Sequence, residues 1–315
     1  MPPSRQRPLL ALLLFLAVFT GFRAEARDIL VGAYVNSISA INPADGTYNI
    51  SVELWFIDPE GTFDPRDNLY VLARSSAIRD YYQERGADGR TYTSARVDAV
   101  VDQEFRLTDF PFDEQNLLLR VEAGETIDRI RFVPDAQPPQ IADYVALVDW
   151  TLSDATLTET EHGYTTRFGL ADSGPQVFSQ LELRIAAART QTGVVVDDFL
   201  GFIFSFIITG LIYFVPTTEL GTRIGMTTGS LFAALLNLNR LLDAAGYKAE
   251  FGLVEQLGFL IFGAILCSLL ISIAMKRVAT RKGVAYADRI DAVLGVIVMT
   301  AFLAAIVWVI RAGMS

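Results

Sequence analysis

Residues 177–215, VFSQLELRIAAARTQTGVVVDDFLGFIFSFIITGLIYFV, contain the change of pattern that decides the fold. Up to about residue 189, apolar and polar side chains alternate, as in a β-strand with one buried face. From Val194 onward the apolar residues run on for long enough to cross roughly 30 Å of bilayer hydrocarbon as a helix. The stretch therefore predicts a β domain that leads directly into a membrane-spanning helix.

The chain before this point has an all-β pattern. Alternating runs such as residues 48–55, YNISVELW, are separated by turn signals such as Asp88-Gly89. Further runs lie at 117–121 and 177–185. A count of about eight to ten strands in roughly 160 residues is typical of a sandwich. We predict this β domain over residues 27–190.

The chain after this point contains four apolar segments, at residues 194–215, 219–242, 251–275 and 288–310. Each is long enough to span a membrane, which predicts a transmembrane domain over residues 191–315. The connector between the third and fourth segments is basic and is therefore expected in the cytoplasm. Its basic residues are Lys276, Arg277, Arg281, Lys282 and Arg289.

The N-terminus has the features of a signal peptide. Arg5 and Arg7 precede an apolar run at residues 9–19, and Ala24-Glu25-Ala26 fits a cleavage site. The apolar run is shorter than the roughly 20 residues that a membrane anchor needs. We therefore expect residues 1–26 to be removed and the β domain to lie outside the cytoplasm, in a multi-pass protein of the cell (inner) membrane.

Charge and composition exclude several classes of function. Residues 27–198 contain 29 acidic and 14 basic side chains, which gives a net charge of −15. Residues 199–315 contain 6 acidic and 9 basic side chains. Such an acidic domain repels nucleic acids. The sequence has one histidine, one cysteine, no metal-ligand spacing, no nucleophile motif and no phosphate-binding loop. We therefore expect no enzymatic activity, no cofactor and no metal.

The second apolar segment is unusually polar. At 100° per residue, Arg223, Thr227, Ser230, Ala234 and Asn237 lie on one stripe of the helix. Polar groups within a membrane must face water or each other. The stripe is therefore compatible with two arrangements: several copies of this helix around an aqueous pore, or a polar seam packed inside one helix bundle.

The loop sequence at residues 105–115, FRLTDFPFDEQ, contains the motif Phe-Pro-Phe-Asp-x-Gln. With this motif, the order of signal peptide, β domain and four apolar segments resembles prokaryotic pentameric ligand-gated ion channels, relatives of the Cys-loop receptors. The resemblance implies an all-β extracellular immunoglobulin-like sandwich followed by a four-helix transmembrane bundle, assembled as a homopentamer.

The same resemblance implies the function and the partners. The protein would pass ions, cations more readily than anions, when an extracellular ligand, proton or divalent ion acts on it. Its partners would be identical subunits, membrane lipids and a small extracellular agonist or ion that the sequence does not identify. The alternative is a non-conducting, membrane-anchored extracellular sensor or adhesion protein.

The resemblance also implies a coupling site between the two domains. Phe110, Pro111 and Phe112 would contact the linker at residues 242–250 between the second and third helices. Asp113 would meet an arginine just before the membrane, either Arg184 or Arg189.

The second helix would line the pore. The pore-lining residues implied are Glu219, Thr222, Arg223, Met226, Thr227, Ser230, Ala233 and Asn237. Glu219 would form a carboxylate ring that admits cations, whereas Arg223 would oppose cations if it faced the axis. A rotation by one residue would instead turn Arg223 toward a neighbouring helix or toward Glu219. The sequence does not decide between these registers, and the acidic β domain favours cations.

The family binds agonists in aromatic cages, which hold cationic amines. The resemblance implies a cage between adjacent β domains. Its candidate residues are Tyr82 or Tyr81, Tyr144, Tyr164 and Phe168 on one face and Trp55 or Phe56 on the other. His162 lies in a polar stretch, either as a solvated loop residue or as a proton sensor.

Overall fold

The computed structural model describes residues 26–166, 176–245 and 251–313. Their N-terminal part forms two packed β-sheets. The larger sheet has the strand order β4-β5-β2-β1-β7, with β8 beside β1, and the smaller has the order β3-β6-β10-β9. The strands are β1 Arg27–Asn42, β2 Thr47–Asp58, β3 Leu69–Leu72, β4 Ser75–Arg85, β5 Thr91–Asp102, β6 Glu114–Thr126, β7 Ile130–Pro134, β8 Gln140–Ile141, β9 Trp150–Tyr164 and β10 Gln176–Arg189.

The core of this domain lies between the sheets and follows from the alternation of the sequence. In β2, every second residue is buried against the smaller sheet, and β6 and β10 bury the matching positions. Three phenylalanines, Phe56, Phe63 and Phe132, pack with ring centroids 5.0–6.0 Å apart. Burial of these apolar faces fixes the register of each strand.

The larger sheet is mixed, which corrects the predicted immunoglobulin-like sandwich. β1 is antiparallel to β2 but parallel to both β7 and β8, with Arg27 opposite Ile130 and Tyr34 opposite Gln140. An immunoglobulin-like sandwich is built from antiparallel sheets. Alternation of apolar residues indicates a strand but carries no information on its direction, so the sequence could not reveal the parallel pairs.

Four helices follow: α1 Gln191–Leu211, α2 Leu220–Ala245, α3 Leu253–Lys282 and α4 Val284–Gly313. A short 3₁₀ helix, Ile212–Phe214, continues α1. α3 and α4 are longer than the predicted segments and are separated only by Gly283, whose φ of 98° is one that glycine adopts readily. The basic residues expected in a connector therefore lie at the ends of two helices.

The predicted four-helix transmembrane bundle is wrong. In the described part of the chain, only α3 and α4 are long and apolar enough to cross a membrane, with mean hydropathies of 2.6 and 2.8. The described apolar stretch of α1, Asp198–Phe214, is shorter, and α2 carries polar and charged side chains along its length. The structure contains a single chain and gives the predicted homopentamer no support.

α3 and α4 support membrane association. Only 39% of the apolar window of α3 and 11% of that of α4 is buried within the chain. The core helix of a soluble protein would be mostly covered by its own chain, whereas these two helices leave most of their apolar surface exposed.

Three sequence predictions lie wholly or partly outside the described residues. They are the signal peptide at 1–26, of which only Ala26 is described, Phe168, and residues 246–250 of the second linker. β1 begins at Arg27, the residue after the predicted cleavage site.

Candidate functional site: the junction between sheets and helices

The loop between β5 and β6 inserts its apolar tip among the helices. Phe110 is 3% exposed and shares a core cluster with Phe199 and Phe202 of α1 and Leu253 of α3. The amide of Leu253, the first residue of α3, donates to the carbonyl oxygen of Thr108 at 2.8 Å. Both packing and a backbone hydrogen bond therefore join the loop to the helices.

Pro111 and Phe112 complete this tip. Pro111 is buried, and Phe112 packs half-buried against the same cluster. Phe112 also lines an apolar cavity of about 280 Å³, whose other walls come from α1, α3 and α4. Of the linker that the three tip residues were predicted to contact, Leu242 packs on this cluster, and residues 246–250 lie outside the described part of the chain. The contacts with α1 and α3 were not predicted.

Asp113, at the base of the loop, is held by two partners. Its Oδ1 accepts from Nε of Arg189 at 2.6 Å, and its Oδ2 accepts from Nε2 of Gln115 at 2.8 Å. The side chains of Asp113 and Arg189 are 2% and 10% exposed. Arg184, the other predicted partner, is half exposed and pairs with Glu182 at 3.1 Å. The charged pair at the junction is therefore Asp113–Arg189.

Arg189 occupies the point where the sheet becomes the helix. It is the last residue of β10, and α1 begins two residues later. Its guanidinium lies over the rings of Trp150 and Phe110, at 4.5 and 4.7 Å from their centroids. Its amide donates to the carbonyl oxygen of Asp113 at 3.3 Å. Arg189 therefore connects the loop, through Asp113, with the strand that leads into α1.

The polar stripe of α2 faces the interior of the chain. Arg223, Thr227, Ser230, Ala234 and Asn237 are between 0% and 7% exposed. Of the two arrangements that the stripe allowed, the seam packed among helices is therefore the one seen in this single chain. Four of the predicted pore-lining residues, Arg223, Thr227, Ser230 and Asn237, therefore lie on the buried face of α2 in this chain.

Arg223 pairs with Asp291 of α4. Its Nη1 donates to Oδ1 of Asp291 at 3.1 Å and to Oγ of Ser272 at 3.4 Å, and its Nε donates to the carbonyl oxygen of Val215 at 3.1 Å. The side chains of Arg223 and Asp291 are both 1% exposed. This is the register in which Arg223 turns toward a neighbouring helix.

The opposite face of α2 is open. Of the remaining predicted pore residues, Thr222 is exposed and Met226 and Ala233 are half-buried; Glu219, just before α2, is exposed but lies on the side of Arg223. Two large apolar side chains near the middle, Phe232 and Leu236, are 60% and 69% exposed. The open face, 180° from the buried stripe, consists of Gly221, Gly225, Thr228, Phe232, Leu236 and Asn239.

Three of the aromatic residues predicted to bind ligand lie apart from the smaller sheet. Trp55 and Tyr82 both flank Ser94, so they share one row of the larger sheet. Nε1 of Trp55 donates to Asp135 of the same chain at 3.0 Å. Tyr144 is 73% exposed in the connection between β8 and β9.

Tyr164 lies at the end of β9 in a different group, around a buried carboxylate. Its hydroxyl donates to Glu122 at 3.1 Å, and Nδ1 of His162 lies 2.8 Å from the same carboxylate. The Glu122 side chain is 4% exposed. Burial raises the pKa of Tyr164, and the hydrogen bond to Glu122 raises it further. Within this chain Tyr164 therefore lies on a different sheet from Trp55 and Tyr82, and Phe168 lies outside the described residues.

Two charged residues of these networks were missed by sequence reasoning, although a signal existed for each. Asp291 is an acidic residue inside an apolar segment, where a charge needs a partner. Glu122 interrupts an apolar run in β6.

Within the described ranges, no group of three or more histidine, cysteine, aspartate or glutamate side chains is arranged to hold a metal ion. Comparison of the chain with protein-family models and with curated proteins found no match.

Proposed function

We propose that this protein is a subunit of a ligand-gated ion channel, in which several copies surround an aqueous path lined by α2. The observation that carries the proposal is the buried junction, where the apolar loop tip enters the helix core and Asp113 binds Arg189 at the start of α1. A passive anchor needs only a covalent link between its domains. A buried ion pair at that link costs desolvation free energy, which a coupling role would explain.

The open face of α2 supports the conducting part of the proposal. Its exposed small and apolar side chains have no covering partner among the described residues of one chain, and copies of the same helix can cover them around an axis. A helix that borders water does not need to be apolar all round. Thr228 and Asn239 on the open face would border this water, whereas the polar stripe is already buried within the chain.

The charge distribution supports passage of cations. Glu219 is exposed at the start of α2, whereas Arg223, one turn later, is buried and paired with Asp291. Residues 27–198 also carry a net charge of −15, which concentrates cations near the domain. Both features favour cations over anions. The activating ligand is proposed to be a small extracellular agonist, a proton or a divalent ion.

The proposed orientation places the β domain outside the cell (inner) membrane and the turn at Gly283 in the cytoplasm. α3 starts against the β domain at Thr108, and the end of α4 packs beside that start, since a Cβ on Gly313 would lie 2.4 Å from Leu253. The turn is therefore at the far end of both helices. Its flanking basic side chains favour the cytoplasmic side.

A second candidate is a non-conducting sensor or adhesion protein held in the membrane. The burial of Arg223 within one chain favours it, because Asp291 of the same chain neutralises this charge and no pore is needed to hydrate it. The two candidates differ in whether ions cross a bilayer that contains the protein.

Purified full-length protein in planar bilayers tests the proposal. We expect current under at least one condition of low pH, divalent ions or small amines, and a defined copy number above one by native mass spectrometry. Absence of current under all three conditions, from protein shown to be folded and inserted, favours the second candidate.

Cysteine substitutions identify the path. In a Cys267→Ser background, which removes the single native cysteine, a charged thiol reagent should reduce current through Leu236→Cys. Two matched controls are Ser230→Cys, on the buried face of α2, and Val296→Cys, on the exposed surface of α4. Current that is equally sensitive in all three variants contradicts a path along α2.

A further inference from the structure

We infer that Asp291 sets the charge selectivity of this protein by holding Arg223 away from the ion path. This inference rests on the proposed channel function. Asp291 itself lies on α4, on the far side of Arg223 from the open face of α2. It therefore acts as a positioning residue, through the side chain that it binds.

Two residues of opposite charge lie together at the start of α2. Glu219 and Arg223 are one helical turn apart, and the amide of Arg223 donates to the carbonyl oxygen of Glu219 at 3.1 Å. Side chains at this spacing lie on the same side of a helix, within reach of each other. Without another partner, the guanidinium could neutralise the exposed carboxylate.

The surroundings of Arg223 hold its guanidinium in place. The guanidinium donates hydrogen bonds to four acceptors: both carboxylate oxygens of Asp291, the carbonyl oxygen of Val215 and the hydroxyl of Ser272. Only Asp291 among these is charged. A buried guanidinium that loses its one charged partner is strongly disfavoured, and its long side chain can carry the charge toward water.

The segment that carries Glu219 is also held in place. The amide and hydroxyl of Thr217 donate to Asp288 of α4 at 2.9 and 2.7 Å, and Nζ of Lys276 donates to the carbonyl oxygen of Thr218 at 2.7 Å. Glu219 therefore remains at the end of α2 that is remote from the β domain. An Arg223 side chain released from Asp291 would reach solvent near this carboxylate.

The test is the reversal potential of single-variant channels in a sodium chloride gradient. We expect the wild type to follow the sodium gradient, and Asp291→Asn to raise the permeability of chloride relative to sodium by about tenfold, because rings of fixed charge control ion entry at narrow pore mouths. The double variant Arg223→Gln/Asp291→Asn has neither charge and should return to wild-type selectivity. A general structural disturbance would not be reversed in this way.

The matched control is Asp198→Asn. Asp198 of α1 pairs with Arg240 of α2 at 3.0 Å, but that pair is partly exposed, with side-chain exposures of 18% and 51%. We expect this variant to keep wild-type selectivity. If Asp198→Asn and Asp291→Asn shift the reversal potential equally, the specific role of Asp291 is refuted.

Two further measurements do not depend on current through Asp291→Asn. Thr222→Arg places a guanidinium on the exposed side of α2 without disturbing the buried pair, and should shift selectivity toward chloride. Modification of Arg223 by phenylglyoxal, read by peptide mass spectrometry, should be absent in the wild type and present in Asp291→Asn. The labelling needs no current, so it separates failure of this inference from failure of the proposed channel.

Unchanged selectivity in both Asp291→Asn and Thr222→Arg, in channels that conduct, overturns the inference. Protection of Arg223 from phenylglyoxal in folded Asp291→Asn does so as well. A wild type that carries no current while Arg223 becomes labelled in Asp291→Asn contradicts the channel function and leaves the positioning by Asp291 supported.

Discussion

Asp113 is a charged side chain removed from water, and its stability depends on the groups that replace the water. Arg189 supplies the opposite charge, Gln115 supplies a hydrogen bond, and the rings of Trp150 and Phe110 cover the guanidinium. Loss of either charged side chain leaves the other one buried without an opposite charge. Because the same residues join a strand to a helix, loss of their ion pair should change both the stability of the protein and the proposed coupling.

Asp113→Asn or Arg189→Gln should therefore destabilise the protein by about 3–5 kcal/mol, the range measured for buried pairs that lose one partner. Thermal unfolding of the detergent-solubilised protein measures this. The variants that reach the membrane should show lost or displaced activation curves. The matched control is Arg184→Gln on the same strand, whose exposed pair with Glu182 should contribute less than about 1 kcal/mol. Unaltered activation in both junction variants contradicts the coupling role.

Tyr48 is a second residue whose burial has a measurable consequence. Its ring is 0% exposed, and no partner for its hydroxyl is found among the described residues. Burial raises the pKa of this phenol above its ordinary value. The neutral phenol is the form that the fold favours, so its contribution to stability is full below about pH 10 and declines as the pH rises beyond that value.

Tyr48→Phe should accordingly raise the free energy of unfolding at pH 7 by about 1 kcal/mol, because it removes a buried hydroxyl without a hydrogen bond. It should also reduce the loss of stability above pH 10. Urea unfolding followed by tryptophan fluorescence at pH 7 and pH 11 checks both effects. Tyr92→Phe, at a position that is 40% exposed, is the control and should change little. A clear loss of stability in Tyr48→Phe would indicate a partner for the hydroxyl.

At the scale of the elements, α2 is positioned by its close contact with α1. A Cβ on Gly201 would lie 2.6 Å from the Cβ of Asn237, so the two helices approach at a distance that only glycine permits there. The face of α2 turned away from this contact includes Gly225, where a Cβ would meet nothing within 4 Å. Two glycines in neighbouring helices thus have opposite surroundings.

Gly201→Ala should destabilise the helices by about 1–3 kcal/mol, as expected when a close-packed site is overfilled. Gly225→Ala should stabilise them by up to about 1 kcal/mol, through the higher helix propensity of alanine. Unfolding of the two variants in mixed detergent micelles gives the comparison. Equal effects of the two substitutions would show that α1 and α2 are not packed this closely.

At the scale of the whole molecule, the position of the Gly283 turn determines which surface faces which compartment. The start of α3 and the end of α4 lie together beside the β domain. The turn at Gly283, with its basic neighbours, lies at the opposite end of both helices. In the proposed orientation, a membrane crossed by α3 and α4 separates the acidic domain from the basic turn. The charge asymmetry of the sequence would then become an asymmetry across the bilayer.

A membrane-impermeant maleimide applied to intact cells should label Tyr82→Cys in the β domain but not Lys282→Cys beside the turn, both in a Cys267→Ser background. Positively charged segments are retained in the cytoplasm, which is the reason for the expected sidedness. Lysed cells provide the control, in which both sites should react. Labelling of both variants in intact cells would place the domain and the turn in the same compartment.

Local pattern was enough to locate most elements and the loop at the junction. Alternation of apolar residues indicated β2, β6 and β10, and continuous apolar runs indicated the helices to within several residues at each end. The strands and helices depend on residues that are close in the chain, where periodicity and charge are directly visible. The two candidate partners of Asp113 came instead from the family resemblance, because Arg189 is 76 residues away.

Only the tertiary structure decided which groups meet across long separations. It determined the parallel pairing of β1 with β7, the choice of Arg189 over Arg184 and the rotation of α2 that buries Arg223. Arg223 and Asp291 are 68 residues apart. Such a contact exists because two helices pack in one particular orientation, and helical periodicity is the same whichever way a helix is turned.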